Sequence, residues 1–257
     1  MAITLKQLIE GDDLIRVFAL GRIIHPIFVE MFGLAGGYHG FWIDQEHASV
    51  STDALVSVTI AARANNMDSF VRIPPTGYWE VTQCLEAGAG GVMAAQIHTA
   101  DEAEEFVRWT KFAPRGCRGL NVSGRDGNYA HMPVADFVEK ANRENFVAIQ
   151  VETLGAVEQA DEIAAIDGVD LLFIGPSDLS LALGVPGQFH SAKVWEAIDK
   201  VAAACRNHGK TWGAVTPDPE FADRAVANGC RMPTLGNDVH IMRRGIEAFQ
   251  TSFGGLF

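Results

Sequence analysis

The chain has 257 residues, of which 48% are hydrophobic and 20% charged, and its formal net charge is −12. That is enough apolar material for one large α/β domain, and no shift in composition divides the chain into two. The acidic balance provides no basic surface for nucleic acid, so we expect no DNA or RNA partner. The 4 cysteines form no CxxC pair, which disfavours a zinc knuckle or a disulfide framework and fits a reducing cytoplasm.

The N-terminal segment from Met1 to Lys6 lacks the charged-then-apolar order of a signal peptide. No uninterrupted apolar run reaches the length that spans a bilayer. We therefore expect an unprocessed, soluble, cytoplasmic protein with no membrane partner.

Short apolar runs alternate with amphipathic segments along the whole chain, which is typical of a parallel sheet covered by helices. The predicted strands are 16–20, 40–44, 69–73, 91–95, 146–151, 169–174, 211–215 and 230–235. Helical periodicity predicts helices over 52–64, 79–87, 100–110, 156–165, 194–207, 219–228 and 239–249. Eight βα units in about 250 residues is the size of a TIM (β/α)8 barrel, which we predict as a single domain of residues 1–257.

The interval 113–145 interrupts this rhythm. It carries Arg115, Arg118 and Arg125 among several glycines before a short helical stretch. Long irregular loops in compact domains are usually lids or binding loops, so we predict an insertion over the barrel mouth.

Polar side chains recur where the predicted strands end, which is where a TIM barrel builds its active site. The residues at these ends are Asp44, Glu46 and His47 after the second strand, Arg72 in the third, Gln150 and Glu152 at the fifth, and Asp178 past the sixth. Their coincidence at one end of the barrel predicts a catalytic site there.

Two of these carboxylates suit a divalent cation. Neighbouring strands lie about 4.8 Å apart, so Glu152 and Asp178 could share one ion of the magnesium or manganese type. The alternative is that Asp178 only caps the helix that starts near Ser177. In the same turn, the backbone N–H groups of Ser177 and Asp178 could bind a substrate carboxylate.

Arg72 and His47 are the candidates for charge stabilisation and proton transfer. Arg72 directly precedes Ile73 and two prolines, and a guanidinium at the mouth could stabilise a developing oxyanion. Its alternative role is an internal salt bridge. His47 follows Asp44 closely enough for the carboxylate to orient its ring, a plausible proton shuttle; the alternative is a structural histidine.

The sequence lacks the residues that several other functions of α/β proteins require. No lysine falls at the C-terminal end of a predicted strand, which argues against a Schiff-base aldolase. The chain has neither GxGxxG after a strand nor GxxxxGK[ST], so dinucleotide and P-loop functions are not indicated.

Five motifs in order resemble one family over nearly the whole chain. They are Phe41-Trp42-Ile43-Asp44-Gln45-Glu46-His47, Val71-Arg72-Ile73-Pro74, Cys84-Leu85-Glu86-Ala87-Gly88-Ala89, Gln150-Val151-Glu152-Thr153 and the stretch 175–184. The chain is similar to the HpcH/HpaI aldolases, the metal-dependent (class II) 4-hydroxy-2-oxoheptanedioate and 2-dehydro-3-deoxyglucarate aldolases. It departs from them at Met93-Ala94-Ala95-Gln96, where members usually read Val-Pro-Met, and in the glycine-rich insertion.

The resemblance implies a TIM barrel that assembles as a homohexamer, a trimer of dimers exchanging the C-terminal helix. For the apolar tail 251–257, packing on a neighbouring subunit and a frayed end both remain open. The implied cofactor is Mg²⁺ or Mn²⁺, with Co²⁺ a further option. The implied roles are metal ligation by Glu152 and Asp178, enolate stabilisation by Arg72, acid/base work by His47 with Asp44, a water-contacting amide in Gln150, an acidic group from a neighbouring subunit in Glu86, and an apolar channel wall at Val215.

The function predicted from this combination is a class II pyruvate aldolase. It would cleave a 4-hydroxy-2-oxo acid reversibly to pyruvate and an aldehyde through a metal-bound enolate. The first alternative is an acyl-CoA lyase of the citryl- or malyl-CoA kind, or a citrate-forming condensing enzyme; only Arg115, Arg118 and Arg125 could offer a patch for coenzyme A phosphates. The second is a non-catalytic barrel that binds a keto acid.

Overall fold

A computed structural model describes residues 3–257, so Met1 and Ala2 of the segment considered for a signal peptide lie outside it. Its centre is a closed barrel of parallel strands in chain order from β1 to β8. The strands are β1 Val17–Leu20, β2 Gly40–Asp44, β3 Asp68–Ile73, β4 Gly91–Ala94, β5 Phe146–Val151, β6 Leu171–Ile174, β7 Thr211–Val215 and β8 Met232–Asn237. The predicted TIM barrel is confirmed.

The helices surround the barrel. They are α1 Leu5–Glu10, α2 Pro26–Ala35, α3 Thr52–Ala64, α4 Tyr78–Glu86, α5 Ala100–Thr110, α6 Val134–Glu144, α7 Leu154–Glu158, α8 Ala160–Ala165, α9 Pro176–Ala182, α10 Ala192–His208, α11 Pro219–Ala227 and α12 Asp238–Ser252. None of those in the described part of the chain combines the length and apolar character needed to cross a bilayer. The short helix α1 is not predicted by hydrophobic periodicity. A capping box between Thr4 and Gln7 stabilises its first turn.

Aromatic side chains fill the lower barrel. Phe70 packs against Phe146 and Phe173 at centroid distances of 5.3 and 6.4 Å, and Trp42 lies 6.5 Å from Phe173. Helix α1 adds buried leucines to this cluster from the N-terminal side. Because the lower barrel is packed, polar groups can gather only above it, where the strands end.

The register brings the predicted site residues side by side. Asp44 of β2 pairs with Arg72 of β3, and the pairing of Val151 with Ile174 sets the end of β5 beside the end of β6. Residues that follow these positions therefore enter the same mouth.

The segment 113–145 lies at the opposite end of the barrel from this mouth, so the predicted insertion over the mouth of its own barrel is wrong. The Lys111 ammonium donates to the carbonyl of Asn145, which immediately precedes β5, at 2.6 Å, and the Arg125 N–H donates to the Glu86 carbonyl at the end of α4 at 2.9 Å. The physical reason is topological. A helix that follows a barrel strand returns to the N-terminal side, so the residues after α5 start there.

Helix α12 covers little of the barrel, and Asp238 is its one buried residue. Exposed apolar side chains on the helix and the tail are Val239, Ile241, Met242, Ile246, Phe249, Phe253, Leu256 and Phe257. Exchange of this helix with another subunit stays a prediction, as does the packing of the tail.

Candidate active site

A cavity of about 500 Å³ opens at the C-terminal ends of the strands. Its walls include seven of the residues singled out from the sequence: Asp44, His47, Arg72, Gln150, Ser177, Asp178 and Val215. They come from β2, β3, β5, β6 and β7 or the turns that follow them. No lysine is among the wall residues, all of which fall in the described range.

Arg72 is the most constrained charge in the cavity. Its guanidinium donates from Nε to Asp44 Oδ1 at 3.1 Å, and its Nη2 lies 2.9 Å from Asp44 Oδ2. Its Nη1 lies 3.2 Å from Glu46 Oε2, an ion pair whose geometry falls short of a hydrogen bond, and its carbon lies 4.9 Å over the Trp42 ring. The salt bridge considered as an alternative is thus present, and Arg72 still lines the cavity.

Asp44 does not orient the His47 ring, which corrects the expected Asp–His pair. Asp44 Oδ1 accepts from the backbone N–H groups of Glu46 and His47 at 3.0 and 3.2 Å, and both carboxylate oxygens face Arg72. The acidic neighbour of the His47 ring is Glu46, at 3.7 Å from Nε2. Asp44 therefore fixes the loop and Arg72, and His47 stands 58% exposed at the mouth.

Glu152 is almost fully buried and is held by glutamines on both sides. Its Oε1 accepts from the Gln96 backbone N–H at 2.9 Å and from Gln96 Nε2 at 3.1 Å, and its Oε2 accepts from Gln150 Nε2. Burial, opposed by the hydrogen bond from the Gln96 backbone and aided by the nearby carboxylates of Glu46 and Asp178, raises the pKa of Glu152 to about 7. The site therefore concentrates negative charge that a cation would neutralise.

Asp178 lies in the first turn of α9 and lines the cavity. The N-cap of this helix is Gly175, and the structure records no side-chain cap bond there, so capping does not occupy the Asp178 carboxylate. Gly175 is itself required: a Cβ at this position would overlap the Glu152 carboxylate and the Gln150 amide.

The residues present fit a hard divalent cation. Gln150 Oε1 is buried without a hydrogen-bond partner among residues 3–257, and Glu152 and Asp178 supply carboxylate oxygens. No group of three or more His, Cys, Asp or Glu side chains suited to a metal occurs in the same range. The chain thus offers two carboxylates, and a cation would complete its coordination with water and substrate oxygens.

The remaining predicted residues divide into two groups. Ser177 and Val215 line the cavity as expected. Glu86 does not: it ends α4 on the N-terminal side, where its carboxylate accepts from the Asn121 amide at 2.9 Å. A contribution of Glu86 to the site of another subunit stays a prediction.

Sequence reasoning missed four residues that shape the site. Gln96, noted only as a departure from the family pattern, bonds Glu152 and has a φ of 51°. Gly175 leaves room for two site side chains, and Arg22 and Asp238 line the wall after β1 and β8. Gln96, Arg22 and Asp238 follow closely on strand ends, so a search of those positions would have found them.

Comparison with known proteins places this site in one family. The family model described as HpcH/HpaI aldolase/citrate lyase matches residues 26–245. A protein of Klebsiella pneumoniae named 5-keto-4-deoxy-D-glucarate aldolase is 29% identical over 231 residues, covering 90% of this chain and 89% of that protein.

Solved structures of similar proteins support the same family assignment. An HpcH/HpaI aldolase/citrate lyase family protein from Burkholderia cenocepacia superposes with a TM-score of 0.89 at 32% identity, covering 96% of this chain and 98% of that one. Citrate synthase SbnG superposes with a TM-score of 0.86 at 25% identity, covering 97% of this chain and 96% of that one. The chain belongs to the HpcH/HpaI aldolase/citrate lyase family and is a carbon–carbon lyase.

Proposed function

We propose that this protein cleaves a 4-hydroxy-2-oxo acid reversibly into pyruvate and an aldehyde. The observation that carries the proposal is a cavity lined by a constrained arginine, an exposed histidine and the Asp178 carboxylate, with the buried Glu152 carboxylate bonded to Gln150 of the same wall. A relative named as an aldolase of a keto-deoxy sugar acid supports the same reaction class.

Arg72 would face the charge that forms during cleavage. When the C3–C4 bond breaks, its electron pair moves onto C3 and the C2 oxygen, and a fixed guanidinium at that oxygen stabilises the product-like charge. Asp44 and Glu46 hold the guanidinium in place before the substrate arrives, so the stabilisation needs little reorganisation.

His47 would move the protons. Its ring is free at the mouth apart from the Glu46 carboxylate, and a neutral imidazole can accept the proton of the 4-hydroxyl group as the aldehyde forms. The same proton, returned to C3, completes pyruvate. Gln150, with a free amide oxygen facing the buried site, would position a water or substrate hydroxyl.

A divalent cation held by Glu152 and Asp178, Mg²⁺ or Mn²⁺ by the chemistry of the ligands, would supply Lewis-acid polarisation of the 2-oxo group. The Ser177 and Asp178 backbone amides would bind the substrate carboxylate beside it, and Val215 would border the aldehyde half.

The three arginines that could bind the phosphates of coenzyme A do not form a basic patch at the cavity. Arg115 pairs with Glu104 at 2.8 Å, Arg118 pairs with Asp126, and the Arg125 side chain lies against Gly88. These arginines belong to the N-terminal side of the barrel, remote from the cavity of the same chain. A citrate-forming condensation remains the second candidate, favoured by the similarity to citrate synthase SbnG.

Helix α12 supports an assembly proposal. Its outer apolar side chains, such as Ile246 and Phe249 at 52% and 68% exposure, would be buried if copies of the chain exchanged this helix in a hexamer.

The test is pyruvate release from a panel of 4-hydroxy-2-oxo acids, coupled to lactate dehydrogenase, after chelation and after restoration of Mg²⁺ or Mn²⁺. The proposal predicts release that depends on the cation and is lost in Glu152→Gln. Condensation of an acetyl thioester with oxaloacetate, in which water releases citrate and the free thiol, without cleavage of any panel member, would favour the second candidate. Binding of pyruvate without either reaction would leave a keto-acid-binding barrel.

A further inference from the structure

We propose that Arg22 forms a subsite for an anionic group at the far end of the substrate, so that the enzyme selects aldehydes bearing a carboxylate. This inference rests on the proposed aldol reaction and deepens it. Two arginines, Arg72 and Arg22, line the cavity.

The two arginines differ in their partners. Arg72 is neutralised by the carboxylates of Asp44 and Glu46. Arg22 forms no ion pair with any acidic group among residues 3–257; its Nη1 donates only to the carbonyl of Gly21, at 3.2 Å. In a chain with a net charge of −12, an arginine without a carboxylate at a cavity wall is available to an anionic ligand.

The position of Arg22 suits the far end of a substrate. The pyruvyl half is expected near Gln150 of β5 and Asp178 after β6, and Arg22 follows β1. Strand β1 stands opposite β5 in a closed eight-stranded barrel. The cavity wall continues between these sides through Val215 and Thr216, so a bound chain that starts at β5 and β6 can extend toward Arg22.

The main chain at Arg22 is preorganised. Asp238, only 2% exposed, accepts from the backbone N–H groups of Gly21, Arg22 and Ile23 through Oδ2 at 3.0, 2.6 and 2.6 Å. These bonds hold the loop after β1 against the start of α12. The guanidinium therefore projects from a fixed point, which lowers the entropic cost of binding an anion.

The other acidic groups at the wall do not remove this charge. Asp44 forms an ion pair with Arg72, and Asp238 accepts hydrogen bonds from backbone N–H groups. Asp178, the third acidic residue of the wall, is a proposed cation ligand. His240 and Asn237 line the same wall and could add polar contacts to a bound anion.

The turnover experiment compares aldol addition of pyruvate to succinic semialdehyde and to butanal, which have the same number of carbons but differ in the terminal carboxylate. For the Mg²⁺-loaded Arg22→Gln variant we expect kcat/KM with succinic semialdehyde to fall about tenfold or more, mainly through KM, and kcat/KM with butanal to change less than about twofold. Arg22→Lys should restore part of the preference because it keeps the charge. Arg143→Gln, at an exposed position of α6, is the matched control.

A binding experiment separates this inference from the proposed reaction. Calorimetry of Mn²⁺-loaded protein compares 2-oxoadipate with 2-oxohexanoate, which differ only in the far carboxylate. Tighter binding of 2-oxoadipate that disappears in Arg22→Gln supports the subsite even if no aldehyde reacts, in which case the aldolase proposal alone fails. Equal affinities in the wild type, or an unchanged preference in Arg22→Gln, would overturn the subsite even if aldol cleavage is observed.

Discussion

Replacing Glu152 by glutamine should stabilise the cation-free protein at pH 8. Burial raises the pKa of Glu152 from 4.5 to about 7, so at pH 8 the folded chain carries a charge that it holds less readily than the unfolded chain. A rise of this size corresponds to roughly 3 kcal/mol of lost stability at pH 8. Glutamine removes the charge and nearly preserves the shape.

The sign and the pH window follow from linkage. The folded-state pKa lies above the unfolded value, so the penalty is absent below about pH 4.5, grows as the pH rises toward 7, and is complete above it. The gain in Glu152→Gln should therefore be about 3 kcal/mol at pH 8 and less than about 1 kcal/mol at pH 5. The neighbouring amides tolerate the change, because Gln150 can turn its unbonded Oε1 toward the new N–H group.

The assay is thermal unfolding in the presence of a chelator at pH 8 and pH 5. About 3 kcal/mol corresponds to a rise in Tm of roughly 6–12 °C in a protein of this size. The control is Glu105→Gln, the same chemical change at an exposed position of α5, which should shift neither Tm. A Glu152→Gln protein that is less stable than the wild type at pH 8, or equally stabilised at both pH values, would show that a charged Glu152 does not destabilise the cation-free fold.

Three further changes test other parts of the account. Arg72→Ala should lower kcat/KM in the pyruvate assay by a factor of hundreds; near-normal turnover would remove its role at the oxyanion. Gly175→Ala should weaken Mn²⁺ binding by about 10–100-fold in titrations followed by electron paramagnetic resonance, because the new Cβ overlaps the Glu152 carboxylate; an unchanged affinity would contradict the assigned cation site. Phe249→Asp on α12 should reduce the mass found by light scattering after size exclusion, and an unaltered hexamer would show that this face is not an interface.

The barrel and the main charged groups at its mouth could be predicted from sequence because both depend on local patterns. Apolar runs bounded by turns gave all eight strands to within two residues at each end. The rule that active sites form at the C-terminal strand ends then selects seven of the residues that line the cavity. The pairing of Asp44 with Arg72 follows from the register of β2 and β3, and it could have been anticipated from their positions at the two strand ends.

The errors have equally physical causes. The loop-like composition of segment 113–145 predicts a position at the mouth, whereas the direction of the preceding helix α5 decides at which end the segment starts. Closeness in sequence predicts the Asp44–His47 pair, but it does not determine where the two side chains point. The bond from Gln96 to Glu152 depends on a left-handed backbone conformation with φ of 51°, which a non-glycine residue does not reveal in its sequence.

Exchange of the pyruvate methyl hydrogens for deuterium, followed by proton NMR in D₂O, is the most direct test of whether this cavity forms the enolate of pyruvate, because it requires no knowledge of the aldehyde. We expect loss of the methyl signal in the presence of Mg²⁺ or Mn²⁺, suppression by a chelator, and no exchange above background with Glu152→Gln. Absence of exchange by wild-type protein with cation and pyruvate both shown to be bound would contradict the assignment of this cavity as a site that forms the enolate of pyruvate.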